Sequence, residues 1–127
     1  MGLFGGKKKE TQAGSIGLKS MAENVKVLIK SGRKKEAIAY LYILYTKLAG
    51  KRWNVKRKPS QSMREYAMVL VKEKNHNPNN AFDFLNKVES IIYGGVEPSD
   101  QAYAETKEIF ERVFTEITNK ALPSYFN

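Results

Sequence analysis

Five segments with helical apolar spacing, most of them opened or closed by capping residues, and no stretch with the period-two alternation of a strand predict an all-α fold. The expected architecture is a single compact bundle of about five helices behind a flexible basic N-terminal tail. With 127 residues, 42% of them hydrophobic, the chain is long enough to bury one core and too apolar for wholesale disorder.

Residues 1–19 read as the tail. Glycines 2, 5, 6, 14 and 17 surround Lys7, Lys8 and Lys9, and too few bulky apolar residues remain to offset the entropy of ordering. Gly2 invites N-myristoylation, but Gly6 stands where the acceptor pattern wants Ser or Thr. The helical domain is expected over residues 20–122. Ser20-Met21-Ala22-Glu23 has the form of a capping box, followed by Val25, Leu28 and Ile29 and then Gly32 as a stop. A second helix is expected from Arg33 to Ala49, closed by Gly50. Its apolar residues cover most of its circumference, which places it centrally.

Lys51 to Gln61 reads as a loop around the helix-breaking Pro59. Ser62-Met63-Arg64-Glu65 is a second capping box, opening a helix to about Lys74. After the turn-forming run Asn75 to Asn80, a fourth helix is expected to Tyr93, ended by Gly94-Gly95. Ser99 or Asp100 then caps a fifth, expected to run to Ala121 before Pro123. Residues 123–127 form a short aromatic tail.

Composition narrows the chemistry. Without cysteine there can be no disulfide, zinc knuckle or thiol nucleophile, and a single histidine leaves no His-rich metal site. His76, among asparagines, reads as a solvated loop residue. Glu105, Glu108, Glu111 and Glu116 read as outer-face charges, with Glu108–Arg112 a helix-stabilising pair. No phosphate-cradling glycine loop follows a strand, so neither a cofactor nor a catalytic site is expected. The longest charge-free run, Ala37 to Thr46, is ten residues, about half a membrane span. A soluble, cytoplasmic chain is the expectation.

Charge is one-sided. Residues 1–64 carry 16 Lys and Arg against three acids, whereas residues 65–127 carry six against ten. Such asymmetry predicts a basic patch suited to acidic protein, nucleic acid or an anionic surface. Its densest part is Lys51, Arg52, Lys56, Arg57 and Lys58 around Trp53, cations with an aromatic that either stacks on a base or closes over the core. The C-terminal Asn119-Lys120-Ala121-Leu122-Pro123-Ser124-Tyr125-Phe126 resembles a sliding-clamp-interacting box. Leu122, Tyr125 and Phe126 stand at the three hydrophobic plugs, and Asn119 replaces the usual glutamine. Those aromatics either dock on a partner or pack on their own domain.

Leu41-Tyr42, Leu48, Gly50, Ser62 through Ala67, Leu70, Glu89, Ile92-Tyr93-Gly94-Gly95 and Pro98-Ser99 carry a family likeness. Over about residues 40–118 the chain resembles the helical domain of unknown function at the cytoplasmic C-terminus of transglutaminase-like membrane proteins. Ser62-Met63 stands in place of the family's Thr-Pro, and Ile92 in place of an arginine. The resemblance implies a helical interaction module tied to membrane-associated assemblies, with no catalytic residues to carry over. Together these readings predict a non-catalytic module that binds a protein partner. The alternative is a nucleic-acid-associated accessory protein using the 51–58 loop, and a small-molecule substrate is not expected.

Overall fold

The computed structural model describes residues 17–127, so the myristoylation reading and most of the expected tail lie outside the described residues. Five helices follow in order: α1 (Leu18–Lys30), α2 (Lys34–Trp53), α3 (Met63–Lys74), α4 (Pro78–Ile92) and α5 (Asp100–Thr118). A 3-10 turn, Ser124–Phe126, ends the chain. No strand occurs among the described residues. The fold is all-α, as the periodicity predicts.

The second helix is the hub. It packs against α1, α4 and α5, while α3 leans on α4. Ile38, Leu41, Leu44 and Tyr45 of α2 are sealed from solvent together with Phe84 of α4 and Phe110 of α5. Phe84 and Phe110 meet at 5.7 Å between ring centroids, within the range of favourable aromatic pairing.

Local signals act where the expectation placed them at three helix ends. Ser62 Oγ accepts from the Glu65 amide at 3.0 Å and Glu65 Oε1 accepts from the Ser62 amide at 2.8 Å, a complete capping box. Ser99 Oγ likewise accepts from the Ala102 amide. Gly32, at φ 77°, lets the chain reverse after α1, so that its amide reaches Ile29 and the Arg33 amide reaches Leu28, the Schellman pattern.

Four boundaries differ from the sequence expectation. Ser20 is not a cap: α1 begins at Leu18, whose side chain packs on the core and extends the helix one turn upstream. Gly50 does not end α2. A glycine inside a helix costs only about 1 kcal/mol, and the further turn lets Trp53 pack on the core before Asn54, at φ 56°, ends the helix. The fourth helix starts at Pro78 rather than Asn80, because Asn77 Oδ1 accepts from the Asn79 and Asn80 amides and proline suits the first helical position. The fifth ends at Thr118 rather than Ala121, with Asn119 at φ 59° as its left-handed cap.

The first turn of α2 carries no cap from its own neighbours. Instead Glu97, from the α4–α5 loop, accepts from the Lys34 and Lys35 amides at 2.8 and 3.2 Å. A carboxylate at a helix N-terminus also meets the positive end of the helix dipole. Arg112 pairs with Asp83 of α4 at 3.2 Å instead of the expected Glu108, tying α5 to α4.

Candidate functional site

The last turns of α2 place Lys47 and Lys51 on one face, four residues apart. Asn54 then turns the chain back, and the Tyr66 hydroxyl donates to the Val55 carbonyl at 2.6 Å, pinning the returning strand of loop against the helix. Gly50 lies under it: a Cβ there would sit 3.7 Å from Val55 O and 3.9 Å from Lys56 Cα, in ordinary contact. Between helix and loop opens a cleft of about 620 Å³ whose lining includes Lys47, Lys51, Lys56 and Arg57 and no carboxylate.

The cations of the described residues are of two kinds, some paired with an acid and others, such as Lys72 and Lys74, with none. Elsewhere Lys34 pairs with Asp100, Arg64 with Glu89 and Lys87 with Glu105. Among the described residues, no acid pairs with any of the four lining the cleft. Arg57 also lies near the Tyr42 phenol. Burial pushes that phenol up to about 12, and the guanidinium opposes the rise.

The structure divides the cluster seen in the sequence. Lys51, Lys56 and Arg57 share the cleft, and Lys47 joins them. Arg52 turns instead to a second recess, between α2 and α5, and Lys58 to a groove along α3. Trp53 is half-buried, its ring 4.9 Å from the His76 imidazole, so it serves the core. Lys47 was legible only as the residue one helical turn before Lys51.

The C-terminal plugs are engaged by their own domain. Phe126 is 4% exposed and lies 6.5 Å from Phe110, while Leu122 and Tyr125 pack half-buried against the same core.

His76 is the clearest correction. Far from being solvated, it is 1% exposed. Its Nδ1 lies 2.9 Å from Glu116 Oε2 and its Nε2 3.0 Å from the Tyr45 hydroxyl. In the tautomer that donates Nδ1–H to the carboxylate, Nε2 is the acceptor for the Tyr45 hydroxyl. Glu116, expected on an outer face, also accepts from the Asn77 amide at 2.8 Å and from Asn80 Nδ2 at 3.0 Å. Burial alone would raise the Glu116 carboxyl, but these donors outweigh it and hold the group below the usual glutamate value. Burial, chiefly, pushes the Tyr45 phenol far above its ordinary value. The order carboxylate–imidazole–hydroxyl has the form of a relay, and its hydroxyl end, Tyr45, is 3% exposed. What it does is tie α2, the α3–α4 turn and α5 together.

Compared with known protein families, curated proteins and solved structures, the chain matches none of them.

Proposed function

We propose that this chain is a non-catalytic helical interaction module that binds an acidic protein partner through the end formed by the last turns of α2 and the loop behind it. The observation that carries this reading is the acid-free cleft around Lys47, Lys51, Lys56 and Arg57. Unpaired cations gathered at one place create a local positive potential that attracts and orients a negatively charged partner. Kinship with the cytoplasmic helical domain of transglutaminase-like membrane proteins, which rests on the sequence motifs alone, belongs to this proposal, as does a cytoplasmic location. No helix of the described residues is long and apolar enough to cross a membrane.

Nucleic acid is the second reading, favoured by the same four cations as phosphate ligands. Competition between fluorescent polyglutamate and a single-stranded oligonucleotide for the full chain separates the two. The module reading expects polyglutamate to hold its place against an equal charge of oligonucleotide. Displacement at far lower oligonucleotide concentration would transfer the function to nucleic acid. Failure of both to bind at low salt would contradict both readings.

A further inference from the structure

Beside the cationic cleft, and sharing Lys51 with it, lies the second recess. Leu48 of α2 and Phe114 and Ile117 of α5 form its floor, all three buried, and Leu18 closes one side. Lys51, Arg52 and Lys120 stand at its rim, and none of the three pairs with an acid among the described residues. Lys51 and Arg52 lie in the last turn of α2 and Lys120 just beyond α5, so each also meets the partial negative charge of a helix C-terminus. Two half-charges against three full ones leave the rim positive.

We infer that this recess is the anchor point for an acidic amphipathic peptide segment of the partner, seating one aliphatic or aromatic side chain on Leu48, Phe114 and Ile117 while flanking carboxylates meet Lys51, Arg52 and Lys120. The inference rests on the acidic-protein reading above and gives that partner its chemistry. Three features select the occupant. An apolar floor rewards a hydrophobic side chain over a nucleobase, whose polar edges it would leave without hydrogen-bond partners. The cationic rim favours carboxylates around it. The volume, about 260 Å³, lies below the range of pockets that enclose whole small ligands, so the recess accommodates one side chain of a longer chain. The adjoining cleft through Lys51 offers the rest of an acidic segment a continuous track.

The test uses the full chain and a fluorescein-labelled helical peptide with a glutamate face and a leucine row. Its control has every leucine replaced by serine, and methyl NMR follows Leu48 and Ile117. The leucine peptide is expected to bind on the order of tenfold more tightly than the serine control and to shift both methyl groups. Arg52→Gln with Lys120→Gln, both exposed, should weaken it by roughly threefold to tenfold with helicity unchanged. Equal binding of the two peptides would overturn the anchor while leaving the acidic-partner reading intact. Loss of both at low salt would overturn the reading as well. Methyl shifts that follow protein concentration without peptide would give the recess to a second copy of the chain, and shifts caused by an oligonucleotide would give it to nucleic acid. Either result overturns the proposal.

Discussion

His76 Nδ1 meets Glu116 Oε2 at 2.9 Å across forty residues of sequence, and the same carboxylate oxygen accepts from the Asn77 amide. One side chain of α5 therefore fixes both the buried imidazole and the N-cap region of α4. Glu116→Gln keeps the shape but removes the charge from these hydrogen bonds. Unfolding free energy should fall by about 2 kcal/mol, the range of a charge-assisted hydrogen bond in a partly buried site. Urea denaturation at neutral pH measures it.

The same carboxylate gives a pH signature. Its pKa is held below the ordinary 4.5 in the folded chain. A depressed folded pKa means that the stabilisation is present above the unfolded value and is lost as pH falls through the folded one. The stability gap between wild type and Glu116→Gln should therefore close below pH 4.5. Glu105, lowered by its hydrogen bond from Lys87, contributes on the same acid limb in both proteins. It cancels in the difference. A gap independent of pH would remove Glu116 as its source.

Gly50 sits inside α2 with ordinary room for a Cβ. Gly50→Ala should stabilise the chain by about 0.5–1 kcal/mol, through lower backbone entropy in the unfolded state. A lower urea midpoint would show that the loop at Val55 and Lys56 cannot tolerate the methyl group.

Phe126 joins the core from the last turn of the chain. Removing residues 123–127 should lower unfolding free energy by on the order of 1–3 kcal/mol, the worth of one buried aromatic side chain. An unchanged midpoint would mean that these aromatics leave the core in solution.

The legible and illegible parts of the chain divide by range. Ser62 with Glu65, Ser99 with Ala102 and Gly32 act within a few residues, so sequence spacing reveals them. Gly50 was misleading because a stop signal competes with the burial of Trp53 one turn later, and tertiary packing wins. Asn54, Asn75 and Asn119 perform the left-handed termination that glycine usually supplies, a signal present in the sequence. His76 and Glu97 could not be read locally. The partners of His76 lie 31 and 40 residues away, and Glu97 caps a helix some sixty residues upstream. The cleft has the same origin: Lys56 and Arg57 share it with Lys47 because Asn54 turns the chain back and Tyr66, eleven residues beyond Val55, holds the loop against α2.

The most direct test of the acidic-partner account is the salt dependence of polyglutamate binding by wild type and by the variant Lys47→Gln, Lys56→Gln, Arg57→Gln. Removing unpaired surface cations should leave folding stability within about 0.5 kcal/mol. Wild-type affinity is predicted to fall steeply with added salt, and the variant to bind more weakly at low salt with a flatter dependence. Equal affinity and equal salt dependence for the two proteins would contradict the assignment of the cleft.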